Sequence, residues 1–516
     1  MTTTVRIPAD GTRLATDIHL PGTGRDHAPG PYPTVVIRTP YGRRAHHHEA
    51  RAWAARGFAV AVQDVRGRYG SAGPWRPYAQ EAADAVATLR WIRGRGWSDG
   101  RIVTAGASYA AYCALTAATG DTATPAPRPA DGPDAVIAAV PALGTAETAR
   151  EPSGVERLLG RAGWWAAHGD RPDSDPTALD RRLATDPGLL THLPVAALPA
   201  RLGRPLPSWP AVWHARRTGR LPERAALARI PLLAVGGVHD PFAADTLALW
   251  RAWGGPARLV LGPWGHRLTH DPGAGARPGH RIDLGDLTAR WARAVCEGRA
   301  EGGTRGAIAL GGAPHWYPAG ATVAPAAVRG LPFGTPHGPR LLHGAGFLAD
   351  PDRPVRSDDL TADPHRTDRA LLLTPPLKRP EDLFGPAAAR LTVTADTPAA
   401  DWFVRLVALD PGGRAEPLAL GTARTTRPPG TEHTVQVDLG LLARRLRAGT
   451  RLRIEISGHH FPAHARNPHT GQDPVTATRL LPSRRTVRAD RGALLLPTTR
   501  LRPADALPDL YEEICA

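Results

Sequence analysis

Three cysteines are all that the 516-residue chain contains: Cys113, Cys296 and Cys515. An odd, scattered set is neither a disulfide framework nor a zinc-ligand spacing. Cys113, inside a predicted helix, reads as a small core residue. Lysine is nearly missing too: Lys378 is the only one among 64 Lys and Arg. The formal net charge of +16 would suit nucleic acid. Yet the arginines recur from one end to the other without a basic block, and high Ala, Gly, Pro and Arg together look like a compositional bias of the coding genome. No nucleic-acid partner is expected. No apolar run approaches the roughly 18 residues that a membrane helix needs, so no membrane partner is expected. The opening MTTTVRIPADG has no basic-then-apolar signal layout, and a cytoplasmic protein is the expectation. There is no internal repeat and no low-complexity tract.

What is there centres on residues 101–119, RIVTAGASYAAYCALTAAT. Arg101 to Ala105 is a short apolar run with Ile102, Val103 and Thr104, which suits a buried parallel strand. Gly106-Ala107-Ser108-Tyr109-Ala110 follows, with small residues that let the chain turn sharply. Residues 110–118 are Ala-rich and read as a packed helix. This is the strand–turn–helix context of a nucleophile elbow, with G-x-S-x-A in place of G-x-S-x-G. A serine that merely caps the helix is the competing reading. The decision rests on a base, an acid and oxyanion donors elsewhere in the chain.

Around that stretch, buried strands alternate with helices. Strands are predicted at 4–9 and 13–20 about an Asp10-Gly11 turn, then, after a loop over 21–32, at 34–39, 57–65 and 135–140. A helix is predicted over 79–94. The alternation indicates a parallel sheet with helices on both faces. It breaks at 145–225, a helix-like stretch interrupted by Pro and Gly, which reads as an inserted cap. It resumes at 230–236, with helices at about 243–253 and 282–297 and a last strand at 258–261. From 303 the texture is short β-runs and turns (306–310, 369–374, 389–395, 402–409, 432–438, 450–456 and 491–496), with a helical piece only at 440–446. That reads as an all-β jelly roll. The expected organisation is therefore α/β over 1–144 and 226–302, a helical cap over 145–225, and a jelly roll over 303–516.

Ser108, Asp240 and His266 occur in the order serine, acid, histidine, each after a predicted strand. Three such side chains would cluster at the C-terminal edge of one sheet, the placement of an α/β-hydrolase triad. Each type has a task. The histidine takes the hydroxyl proton, and the carboxylate fixes its tautomer and steadies the imidazolium. His239, beside Asp240, would point elsewhere if Asp240 faces the site; Asp64 precedes the serine; His270 follows the turn that carries His266. For the oxyanion, the Tyr109 N–H is one donor by elbow geometry. The Tyr41 hydroxyl can be the second, or Tyr41 is an aromatic packing on its turn. Trp164, Trp165, Trp209 and Trp213 line an acyl or aryl pocket or pack the cap. His46, His47, His48 and Glu49 read as a solvated helix face rather than a metal site, and the Gly-rich loop 66–73 lacks the Lys and helix of a phosphate loop. No metal and no cofactor are expected.

With these residues in place the sequence resembles the CocE/NonD hydrolases, the cocaine-esterase and X-Pro dipeptidyl-peptidase family. The matching pieces are DGTRLATDIHLP (10–21), VVIRTPYGR (35–43), QDVRGRYGSAG (63–73), WIRGRGWSDGRIVTAGASYA (91–110), GGVHDPF (236–242), GPWGH (262–266), DRALLLTPPL (368–377) and ISGHHFPAHARNPHTG (456–471). The resemblance implies an α/β-hydrolase domain with an inserted helical cap and a C-terminal jelly roll. It implies Ser108 as nucleophile, His266 as base, Asp240 as orienting acid, and Tyr41 with Tyr109 as the oxyanion hole. Ala110 replaces the family's usual elbow Gly, and Gly265 a common Ser. Family members cleave esters, β-lactam amides or dipeptides ahead of a Pro bond. Members that take amino substrates need acidic groups near the pocket. Here Glu147, Glu151, Glu156, Asp170, Asp173 and Asp175 lie among arginines, which favours a serine esterase acting on a small-molecule ester or amide. The alternatives are an X-Pro-type dipeptidyl aminopeptidase, an acyltransferase or cyclase using the same acyl-enzyme, and a binding protein with an idle triad. Since family members are often dimers or larger, a homodimer is the assembly that the resemblance suggests.

Overall fold

The computed structural model describes residues 2–516 apart from 24–25, 28–29, 122–123, 216–219, 301, 321–326 and 362–365. Parts of the expected 21–32 loop and 145–225 cap therefore lie outside the described residues.

A ten-stranded sheet forms the first layer. Its strands are β1 (Thr2–Ala9), β2 (Thr12–His19), β3 (Tyr32–Thr39), β4 (Ala59–Asp64), β5 (Ser98–Ala107), β6 (Ala135–Ala139), β7 (Leu232–Gly237), β8 (Ala257–Gly262), β9 (Thr304–Ala309) and β10 (Trp316–Gly320). Their spatial order is β1-β2-β4-β3-β5-β6-β7-β8-β9-β10. From β4 to β9 every pairing is parallel. The central strands are buried from end to end, which is why they read as unbroken runs of Val, Ile, Leu and Ala. The Asp10-Gly11 turn joins β1 to β2 with positive φ at both residues.

Helices cover both faces: α1 (His47–Ala55), α2 (Glu81–Arg93), α3 (Tyr109–Thr119), α5 (Ala243–Ala252), α6 (Leu284–Cys296) and the terminal α7 (Leu510–Cys515). Between β6 and β7 the chain leaves to build the cap, whose longest helix is α4 (Leu158–His168). Trp165, Leu179, Leu190, Leu198, Trp209 and Trp213 form the cap's apolar core, which Phe461, Ala465 and Val475 of the jelly roll complete. Among the described residues no helix is long and apolar enough to cross a membrane.

Apart from two short two-stranded ribbons, at Gly22–Thr23 with Asp26–His27 and at Trp264–Gly265 with Leu268–Pro272, the remaining strands form two antiparallel sheets, one of six strands and one of five. Inward residues such as Leu391, Trp402, Val404, Leu406, Ile454 and Leu494 meet between them, as a β-sandwich requires. The α/β domain does not end at 302 as expected. β9 pairs parallel to β8, and β10 extends the same sheet. A short buried strand at a sheet edge has the same composition as a sandwich strand, so periodicity could not place the boundary. The chain also returns at its end, where Leu510 and Ile514 of α7 pack into the α/β core. The expected helix at 440–446 is instead the end of a long strand, His433–Leu446, paired with Glu381–Ala395. LLARRL favours helix locally, but cross-strand pairing and burial decide.

The jelly roll is strapped to the cap where α4 begins. Leu158 N and Leu159 N donate to Ala463 O and Pro462 O at 2.9 and 3.1 Å. Arg424 of the jelly roll grips Glu156 of the cap and Asp401 of its own sheet, with ion-pair distances of 2.7 Å to each. Both carboxylates are almost fully buried. Removing the shared cation strips buried Asp401 of its ion-pair partner and leaves Glu156 with Arg150 alone, so Arg424→Ala is expected to cost about 3 kcal/mol. A lower Tm with faster proteolysis of the cap is the predicted result; an unchanged Tm contradicts it.

Candidate active site

Ser108 sits between β5 and α3 at φ 58°, ψ −121°. Positive φ is costly for a residue with a side chain, and the neighbours hold it there. Ser108 N donates to Ala139 O at 2.9 Å, and Ala142 N donates back to Ser108 O at 3.2 Å. A Cβ on Gly106 would overlap the Ala110 carbonyl, so the elbow needs Gly at 106. Ala at 110 is accommodated, nearly fully buried. Tyr109 opens α3, so its backbone N–H has no partner within the helix.

β5, β6, β7 and β8 are adjacent parallel strands, so the residues that follow them share one sheet edge. Asp240 follows β7, and His266 follows β8 by way of a short bridge at Trp264–Gly265. His266 Nδ1 meets Asp240 Oδ1 at 2.7 Å. The aspartate side chain is fully buried, and the imidazole is 39% exposed. A ring nitrogen facing a carboxylate carries the proton, which leaves Nε2 as the free acceptor. Phe242 packs edge-on against the imidazole, 5.5 Å between centroids. No hydrogen bond joins Ser108 Oγ to His266; apo sites commonly close that contact only with substrate bound.

Tyr41 follows β3. Trp164 Nε1 donates to its hydroxyl oxygen at 3.3 Å. An oxygen that accepts from the cap keeps its own O–H available to donate elsewhere. Trp164 also stacks on the Tyr109 ring, 6.0 Å between centroids and 11° between planes, so one cap indole contacts both tyrosines. The turn carrying Tyr41 is pinned from below. Asp64 Oδ1 accepts from Arg43 N at 2.6 Å, and Asp64 Oδ2 accepts from Arg43 NH1 and from Gly70 N at 2.6 and 3.1 Å. Asp64, one of the competing acids, is thus committed to the loop.

The other competitors lie apart. His239 Nε2 meets Ala274 O at 3.1 Å rather than Asp240. His46 bonds Glu49 and Thr39, while His47 bonds Asp17, so these two neighbours serve different partners. Of the four tryptophans, only Trp164 stands beside the site. Trp165, Trp209 and Trp213 belong to the cap core, and Trp209 Nε1 donates to Val195 O at 3.0 Å. These three thus fill the cap core, the packing alternative of the two that the sequence offers: residues at helical spacing inside a small cap are needed to fill it.

Several contributors escaped the sequence reading. The Tyr109 hydroxyl donates to Glu81 Oε1 and accepts from Tyr78 N at 2.8 Å. Burial pushes the Glu81 carboxyl up from its ordinary range, against the pull of the Tyr109 hydrogen bond. Trp75 packs on Trp164, 5.7 Å between centroids. Glu151 accepts from Arg157 Nε at 2.9 Å and NH2 at 2.7 Å, and meets His464 Nε2 at 2.9 Å. Burial opposes its ionisation, yet His464 and Arg157 hold it well below the usual carboxylate range. A cavity of about 930 Å³ lies where the three parts meet, bordered by Arg157, Asp240, Leu247, Leu420 and His464. It reaches the acid from the jelly-roll side; Ser108, Tyr41 and His266 are not on it.

His168 packs edge-on against Tyr41, 5.1 Å between centroids. Burial, helped by the charges of Arg68 and Arg171, lowers its pKa from 6.5 to about 4. A depressed folded pKa gives stability that is present above 6.5 and lost as pH falls towards 4. Wild-type Tm is therefore expected to drop more steeply across that window than the Tm of His168→Gln. Parallel curves contradict the assignment.

Residues 10–267 match the family described as X-Pro dipeptidyl-peptidase (S15 family). Residues 322–493 match the X-Pro dipeptidyl-peptidase C-terminal non-catalytic domain. Cocaine esterase from Rhodococcus sp. (strain MB1 Bresler) is 26% identical, with 90% of this chain and 91% of that protein covered. A solved α-amino acid ester hydrolase superposes with a TM-score of 0.78 at 18% identity, covering 97% of this chain and 96% of its own. An aminopeptidase from the marine sediment archaeon Thaumarchaeota archaeon gives 0.75 at 18% identity, with the same coverage of 97% and 96%.

Proposed function

The chain belongs to the X-Pro dipeptidyl-peptidase (S15) family of hydrolases, and on that premise we propose that it is a serine esterase working through an acyl-enzyme on Ser108. The observation that carries this reading is the 2.7 Å contact between His266 Nδ1 and Asp240 Oδ1 at the sheet edge that also holds the Ser108 elbow.

In this reading Ser108 Oγ attacks the carbonyl carbon while His266 Nε2 takes its proton. Asp240 keeps the other ring proton in place and steadies the imidazolium. The carbonyl oxygen, now negative, accepts from the Tyr41 hydroxyl and the Tyr109 N–H, donors aimed before the reaction begins. His266 passes its proton to the leaving oxygen or nitrogen. Water, deprotonated by the same nitrogen, then attacks the acyl-enzyme and frees Ser108.

The state of the cap's acids supports an ester substrate over one with a free amine. Glu151 is held by Arg157 and His464, and Glu156 by Arg150 and Arg424. Asp173 pairs with Arg171, and Asp175 with Arg171 and Arg181. Asp170 accepts from Ser208. A carboxylate already neutralised by arginine is a poor clamp for a substrate ammonium. The same acyl-enzyme would also serve an X-Pro dipeptidyl-peptidase or an acyltransferase. Turnover of X-Pro anilides above acyl esters, or transfer products with added amines, would favour those readings.

A fluorophosphonate probe is expected to label wild-type protein at Ser108, and Ser108→Ala to lose both label and 4-nitrophenyl ester turnover. Undiminished turnover in that variant overturns the reading. Tyr41→Phe removes one oxyanion donor and is expected to lower kcat about 100-fold with KM little changed. A rise in KM alone would assign Tyr41 to substrate binding.

A further inference from the structure

One face of α4 spans the site. Arg157, at the helix N-cap, Arg161, Trp164 and His168 recur at the three- and four-residue spacing that aligns side chains on a helix. At one end the Arg157 guanidinium lies over Phe242, 5.6 Å to the ring centroid, and Phe242 packs against His266. At the other end Trp164 donates to Tyr41 and stacks on Tyr109. Arg161 lies one turn after Arg157 and one turn before Trp164. Helical geometry therefore sets it on the same face, between the turn that meets Phe242 and the turn that meets Tyr41 and Tyr109.

Arg161 is only 8% exposed. Its Cζ lies 6.0 Å from the Trp164 ring, and Tyr78, Arg157 and Tyr41 act on its charge, Tyr78 also through a side-chain hydrogen bond. Its Nε is sealed from solvent without a hydrogen-bond partner. Among the described residues no carboxylate pairs with it, and the phenols beside it supply no countercharge: burial pushes the Tyr78 hydroxyl upward, so it stays neutral. Arg157, one turn away, has its countercharge in Glu151, which accepts from its Nε and NH2, although its NH1 is sealed without a partner. Arg68, also deeply buried, is satisfied by the carbonyls of Pro40, His168 and Arg171 and by the Ser174 hydroxyl. A guanidinium held in a protein interior is costly unless an anion compensates it.

We propose that Arg161 recognises a carboxylate on the substrate, so that the preferred substrates are anionic esters or amides. This rests on the hydrolase reading above and adds a substrate class to it. The planar fork of arginine suits two parallel bonds to a carboxylate. The overall +16 charge draws anions towards the protein. The carboxylate can belong to the acyl part or to the leaving group; the chemistry at Arg161 is the same.

Two matched pairs separate those sources. For the acyl side they are 4-nitrophenyl hydrogen adipate and its methyl diester. For the leaving-group side they are 4-butyryloxybenzoate and its methyl ester. Wild-type protein at low salt is expected to prefer the charged member of one pair. Arg161→Gln is expected to lower that charged-to-neutral ratio of kcat/KM by about 10- to 100-fold, the scale of a charge-assisted hydrogen bond. Arg161→Lys is expected to keep part of the preference. If wild type favours the charged member of neither pair, or Arg161→Gln leaves the ratios unchanged, the proposal is overturned while the hydrolase reading stands. If wild type cleaves none of the four esters, both fall. Should the variants fail to fold, adipate is tested as an inhibitor of neutral-ester cleavage by wild type. Competitive inhibition that weakens with salt is expected, and no inhibition overturns the proposal.

Discussion

A fully buried carboxylate oxygen and an imidazole nitrogen 2.7 Å apart, Asp240 Oδ1 and His266 Nδ1, set the orientation on which the rest of the site depends. With Nδ1 committed to the acid, the ring can turn only Nε2 towards the serine. With the acid sealed under the loop after β7, the ring cannot swing away without stranding a buried polar group. Everything else arranges the partner. The elbow holds Ser108 in a conformation that a free chain avoids, at φ 58°. Hydrogen bonds to β6 and the loop after it keep it there, and Gly106 leaves room for the helix that follows.

The cap and the jelly roll are part of the same construction. Trp164 reaches down from α4 to the Tyr41 hydroxyl and lies flat on the Tyr109 ring, so the cap orients residues of the α/β domain. α4 is in turn fixed at its start by the jelly roll. The backbone of residues 462–463 pairs with Leu158 and Leu159, His464 bonds Glu151, and Arg424 bonds Glu156. The jelly roll thereby fixes the start of the helix that carries Trp164. This also accounts for two acids of the cap: Glu151 and Glu156 serve as fastening points between cap and jelly roll.

The sequence made the strand-end residues legible because parallel strands carry their own signature. A buried apolar run followed by a turn says where the C-terminal edge is, and Ser108, Asp240 and His266 all follow such runs. Contacts between distant segments carry no such mark. Nothing in the residues around Glu81 announces the Tyr109 hydroxyl, and Arg161 is one arginine among many until the helix face it shares with Trp164 is seen. The choice of Trp164 over Trp165 is a matter of one residue of helical phase, about 100° of rotation, which an interrupted helical stretch does not fix. The α/β boundary was misplaced for a related reason: β9 and β10 are short, apolar and bounded by glycine, as sandwich strands also are.

A structure of the protein carrying a phosphonyl group on Ser108 tests the central claim most directly, since the tetrahedral adduct imitates the intermediate. The account predicts phosphorus bonded to Ser108 Oγ and one phosphonyl oxygen within hydrogen-bond distance of both the Tyr41 hydroxyl and the Tyr109 N–H. It also predicts His266 Nε2 turned to the serine or leaving-group oxygen, with the Asp240 contact intact. An adduct on a different residue, or a phosphonyl oxygen turned away from both tyrosine donors, contradicts it.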